Sequence, residues 1–211
     1  GELMAAIFYG AANMAEVALM VLLLRKTIGG ASVLSSLAAF GKFTLIGFFA
    51  AFVSGLIGAT TAWQLSGDAF LVSLAAWVFS DALGILIFTP FFLAVFKGDY
   101  ATCILEKTPL QLFETTALLT LTFAAACMVF FVARDVPNFI LFIPTMLVTI
   151  RLGQLGTKAA VMLIALVGIA STYLGGGLIY RTNDYEEQIL ILQIFLFVLL
   201  FSSLPVAADL T

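Results

Sequence analysis

Histidine is absent from the 211 residues, cysteine occurs twice, proline five times, and only 10% of the chain is charged. Without His, a His-ligated metal site and a His general base are both excluded within this sequence. Cys103 and Cys127 are too few for a disulfide framework or a metal-binding spacing. A soluble domain carries about 25% charged residues. With less than half of that share and a mean hydropathy of +1.19, this chain has no means of hiding its apolar surface from water. The net charge of -3 and a pI near 4.8 leave no basic footprint for nucleic acid. A phosphate-binding loop, a serine nucleophile arrangement and a paired catalytic constellation are missing too, so the sequence implies neither a reaction nor a cofactor.

What is present is hydrophobic length. Apolar stretches of about 20 residues, the span of a bilayer core, recur along the chain, and they do not alternate with polar residues as barrel strands do. The sequence therefore predicts an all-α, polytopic transmembrane bundle of about seven spans in one domain, over residues 3–24, 43–63, 69–96, 110–132, 137–150, 157–173 and 189–208. Gly1 leads almost directly into the first run, with no initiator Met, as in a piece of a longer chain. Residues 27–41 are too short and mixed to cross and read as an interfacial helix around Gly29-Gly30; 97–109 reads as a polar connection. The fifth span is short, holds Pro144 and is flanked by Arg134 and Arg151. Either it is a stubby crossing with snorkelling arginines or a discontinuous element lining a cavity.

Charge placement orients the bundle. With seven spans, the odd loops hold Arg25, Lys26, Lys42, Lys97, Lys107, Arg151 and Lys158, and the even loops hold Arg134 and Arg181 alone. The positive-inside rule then puts the odd loops and the C-terminus in the cytoplasm, as for a multi-pass protein of a bacterial inner membrane.

A charge inside an apolar run is expensive, which marks Asp81 in the stretch WVFSDALGILIFTP, residues 77–90, as a candidate. Trp77, Gly84 and Phe88 share its helix face; Gly84 leaves room for another backbone, and Pro90 removes the bond to Leu86 and predicts a bend. Two readings stay open for Asp81: a ligand, proton or relay site, or a structural carboxylate bonded to a neighbouring helix. Asn13 and Glu16 form a second polar island, read as an interhelical clamp or as part of the same pocket. Arg151 is the cation for one of these acids or an interface anchor, and Glu114 needs no special role. Gly47, Ala51, Ser54, Gly55 and Gly58 make a small-residue stripe of the kind that lets helices pack closely. Gly175–Gly177 opens an outer cavity or is simply a loop.

Taken together, several motifs resemble the MASE1 family. They are Asn13-x-x-Glu16 followed by Arg25-Lys26, then GLIGATTAW at 55–63, then Trp77-x3-Asp81-Ala-Leu-Gly84 with Pro90, LFIPTMLVTIRLG at 141–153, and LQIFLFVLLFSSLP at 192–205. The resemblance covers essentially the whole chain, and the Trp77–Pro90 stretch is its most specific part. It implies an integral membrane sensory domain of bacterial signalling proteins, of about eight spans, with the first helices absent here because the family's N-terminal W-x-P segment is missing. It also implies a cytoplasmic output after residue 211 in the same chain: a histidine kinase of a two-component system, or a GGDEF-type diguanylate cyclase or phosphodiesterase of cyclic di-GMP signalling, often through a PAS domain. A non-catalytic input domain working as a homodimer in the lipid bilayer, answering an unidentified small-molecule or membrane stimulus, is the expectation that follows. A transporter or a solute-capturing transport subunit is the alternative, on the strength of the midplane acid and the short fifth span.

Overall fold

The computed structural model describes residues 2–27, 36–132, 137–174 and 185–209, and among these every element is helical. The elements run α1 (Glu2–Thr27), α2 (Leu37–Ser66), α3 (Phe70–Phe96), α4 (Asp99–Glu106), α5 (Pro109–Cys127, extended by a π turn over Met128–Val132), a 3-10 turn (Asn138–Leu141) leading into α6 (Phe142–Tyr173), and α7 (Tyr185–Asp209). Gly29-Gly30, Arg134, Gly175–Gly177 and Arg181 lie outside the described residues.

Local chemistry sets the helix ends. Ser36 caps α2 by accepting from the Ala39 amide at 3.1 Å. Gly67, at φ 77, closes the same helix by donating to the Trp63 carbonyl at 3.2 Å. Thr108 and Gln111 form a reciprocal capping box at the start of α5, with Pro109 in the first turn, where its missing N–H leaves nothing unpaired. Among the described residues, six helical stretches are long and apolar enough to cross a membrane.

The chain divides into two compact units, Gly1–Leu86 and Ile87–Thr211. The division falls inside α3 at Leu86, the residue whose carbonyl Pro90 leaves without its helical partner. In the first unit α1 packs on α2. In the second unit α6 packs on both α5 and α7.

The stretch 138–173 is long enough to pass for one span, yet it is two helical arms. Gly153 breaks α6 with φ 63 and ψ -154, a conformation open essentially to glycine alone. The Thr149 and Thr157 hydroxyls, eight residues apart, lie 3.1 Å from each other. On a straight helix they would be about 12 Å apart along the axis. Arg151 pairs with Glu114 near the start of α5, whereas Ser171 donates to the Phe130 carbonyl near its end, at 2.8 Å. Residues 142–152 thus run back along α5, and 154–173 return to the level they started from. The segments expected as the fifth and sixth spans are both helical, joined by a one-glycine corner in place of a loop. With the 3-10 turn the short arm reaches about 24 Å, just below a bilayer core.

Two further boundaries differ from expectation. Leu37–Gly41 belongs to α2, so the predicted interfacial helix is not a separate element over its described part. The connection 97–109 contains the helix α4, an amphipathic two-turn segment with no buried residue.

Candidate functional site

The first unit holds a polar cluster where α1, α2 and α3 meet. Glu16 is 7% exposed, on the α1 face that also buries Ala12 and Met20. Its carboxyl lies beside Asp81 of α3 and the Ser54 hydroxyl of α2. Trp77 donates its indole Nε1–H to Ser54 Oγ at 3.2 Å and lies within reach of Asp81, one turn along the same helix. Tyr9 packs its ring against Trp77, centroids 5.3 Å apart. Two ionised carboxylates are both acceptors only and repel each other, so a proton or another cation between Glu16 and Asp81 would relieve the pair. Glu16 Oε1 and Asp81 Oδ2 are buried and have no hydrogen-bond partner among the described residues.

The glycine stripe of α2 makes room for this indole. A Cβ at Gly58 would stand 2.6 Å from Trp77 Cε3, and one at Gly55 would touch Leu74 and Val78 at 3.1 Å. Gly47 faces Ile85 at an ordinary 3.5 Å. In this unit, therefore, Gly55 and Gly58 admit side chains of α3 where a close approach of backbones was expected. Ala51 is buried on the same helix, and its carbonyl accepts from Ser54 Oγ at 3.3 Å.

The other singled-out residues are placed differently. Asn13 is exposed although it stands three residues from Glu16. The space where a Gly84 Cβ would sit has no neighbour within 4 Å. Pro90 is buried within α3. Arg151 binds Glu114, its Nε lying 2.6 Å from Oε1. Ser54 stood out only as a packing residue, and neither Tyr9 nor Glu114 carried a signal, because their partners come from other helices. A groove of about 360 Å³ between α1 and α2, lined by Phe8, Ile57, Thr60 and Thr61 among others, opens one turn from Ser54.

The second unit gathers charge at one end. Tyr100 of α4 donates to the Leu155 carbonyl at 3.0 Å, just past the Gly153 corner, and sets its ring at a tilt against Phe91. Burial, then the nearby Asp99 and Cys103, push its phenol above the ordinary range, so the hydroxyl stays a donor. Lys158 is 6% exposed, with Asp99 and Lys97 as its charged neighbours. The stretches 97–109 and 151–158 therefore share one end of this unit, as the loop-charge pattern requires of two odd loops.

A polytopic bundle of long apolar helices, with an acid pair inside it and no strands among its described residues, defines an integral membrane protein. More narrowly, the MASE1 family model matches residues 1–211, so the chain belongs to MASE1, a family of membrane-associated sensory domains. No curated protein and no solved structure matches it.

Proposed function

We propose that the chain is the membrane-embedded input domain of a bacterial signalling protein, with no catalysis of its own. The observation that carries this reading within the family is the Glu16–Asp81–Ser54–Trp77 cluster, two neighbouring acids that each have a buried oxygen without a hydrogen-bond partner. Intramembrane acids that lack a lysine or arginine partner are functional candidates by default. Here they suit a stimulus that changes what lies between the carboxyls, whether a proton, a cation or a ligand group entering from the α1–α2 groove. That change favours one packing of α1 against α3, and α7 hands the bias to a cytoplasmic output in the same chain, a histidine kinase or cyclic di-GMP enzyme, within a homodimer in the inner membrane. Moving such an equilibrium decisively takes about 5.5 kcal/mol of differential affinity, of which a buried carboxylate exchanging partners supplies a share.

The test is Asp81→Asn in the full-length parent protein, with output activity measured with and without stimulus. The expected result is a lost response with basal output retained; an unchanged response removes Asp81 from the mechanism. A transport subunit is the second reading, favoured by the broken α6. Accumulation of a labelled solute in vesicles containing this chain alone would establish that reading in place of the sensory one.

A further inference from the structure

We infer that the second unit carries a binding site for a phosphate-bearing anion, in the cleft between the C-terminal end of α4, the first turns of α5 and the Gly153 corner. The cleft measures about 310 Å³, and Cys103, Lys107, Gln111, Glu114, Thr115 and Arg151 line it. A volume near 300 Å³ is at the lower end of ligand pockets and suits a headgroup or a free oxyanion.

The polarity of the lining decides the ligand's sign. The acceptor atoms of the cleft are mostly taken up internally, Glu114 Oε2 being the exception. Gln111 Oε1 accepts from the Thr108 amide at 3.0 Å. Thr115 Oγ1 accepts from Lys107 Nζ at 2.6 Å. Glu114 Oε1 receives both Nε and Nη2 of Arg151. The rest of what remains unspent is a set of donors: the Gln111 amide –NH2, the other two ammonium hydrogens of Lys107, and the far edge of the Arg151 guanidinium, which carries five N–H groups in all. Two cations stand against one carboxylate, and the positive end of the α5 dipole adds to them. A cation finds one free carboxylate oxygen, Glu114 Oε2, set against two cationic side chains, and a neutral apolar molecule leaves the donors unmatched. An oxyanion with three acceptor oxygens satisfies them, with arginine as the planar fork.

Depth narrows the source. Gln111 and Thr115 follow Pro109 within two turns, so the cleft lies within about 10 Å of the helix end, where lipid phosphates sit. Basic clefts between helix ends at the positively charged face bind anionic headgroups. The same donors take a free phosphate reaching the surface from water.

The experiment uses the chain purified in a zwitterionic detergent, with its thermal unfolding midpoint followed against two probes. One is short-chain phosphatidylglycerol titrated against phosphatidylcholine. The other is inorganic phosphate titrated against chloride at equal ionic strength. Stabilisation by phosphatidylglycerol identifies a lipid headgroup, and stabilisation by inorganic phosphate identifies a free anion; either result supports the site if Lys107→Gln and Arg151→Gln weaken the response at least tenfold. Gln111→Glu is the second variant, since it keeps the capping acceptor and the fold while placing another carboxylate in the cleft, and a tenfold loss is expected there too. Lys42→Gln, a basic residue of the first unit, leaves the response unchanged. No response to either probe, or a response that survives Gln111→Glu or falls equally in Lys42→Gln, overturns the proposal.

Discussion

Trp77 meets Gly58 so closely that the smallest possible addition is informative. A methyl group at Gly58 would lie 2.6 Å from the ring, and the indole has nowhere to retreat without giving up Ser54 or Tyr9. Gly58→Ala is expected to destabilise by about 1–3 kcal/mol, the range for overpacking, and Gly55→Ala by less, because its contacts are at 3.1 Å. Thermal unfolding of the two variants checks the order; equal midpoints would mean the indole does not rest on this stripe. Trp77→Phe removes the N–H together with half of the indole, so its expected loss exceeds the roughly 0.5–1.5 kcal/mol of one hydrogen bond by the cost of the space left beside Gly58. At this scale the sequence was informative where a residue violates its surroundings. Asp81 and Glu16 are acids in apolar runs, and they lie beside each other. Ser54 and Tyr9 violate nothing, so only the packing of three helices reveals them. Asn13, as polar as either in its setting, is exposed, because periodicity fixes which residues share a face and leaves open which face turns inward.

At the scale of the element, α6 is the instructive case. Its composition reads as two short spans around Arg151, Gly153 and Lys158, and the corner between them rests on one glycine. Gly153→Ala forces a side chain into φ 63, ψ -154, at a cost of about 1–3 kcal/mol. The expected outcome is a lower unfolding midpoint, whereas Gly41→Ala, in α2 with nothing within 4 Å of the added methyl group, leaves the midpoint unchanged or raised. The Glu114–Arg151 pair that marks the same corner contributes little by itself. Its side chains are 34% and 57% exposed, and a double-mutant cycle is expected to return a coupling below about 1 kcal/mol. Its value is positional, since it fixes which end of α5 the short arm reaches. The corner was visible in outline from the flanking charges. Its tightness was not, because a glycine at positive φ looks the same in sequence as any other glycine. The helix α4 was missed for a related reason: eight residues are too few for a hydrophobic period to stand out against a polar connection.

For the whole molecule, the number of crossings decides where each loop lies, and the loop-charge argument depends on that number. Between Glu106 and Leu174 the second unit contains α5, the short arm 138–152 and the long arm 154–173. If all three cross, these two exposed positions face opposite sides of the membrane. If 138–173 crosses once, as its unbroken hydropathy suggests, they face the same side. The level of Arg151 beside Glu114 and of Ser171 beside Phe130 argues for three crossings. So does the sharing of one end by Lys97, Asp99 and Lys158, which gives the basic residues of two separate loops a common surface. The measurement is cysteine labelling in intact cells with a membrane-impermeant maleimide, after Cys103 and Cys127 are replaced by serine. Glu106→Cys and Leu174→Cys are made singly, and each is labelled before and after the cells are opened. Three crossings predict that Leu174→Cys is modified in closed cells and Glu106→Cys only once they are broken, the pattern that also puts the basic end in the cytoplasm. Labelling of both positions under the same condition would mean that the short arm re-enters the face it came from, and the seven-span count, with the orientation built on it, would then fall.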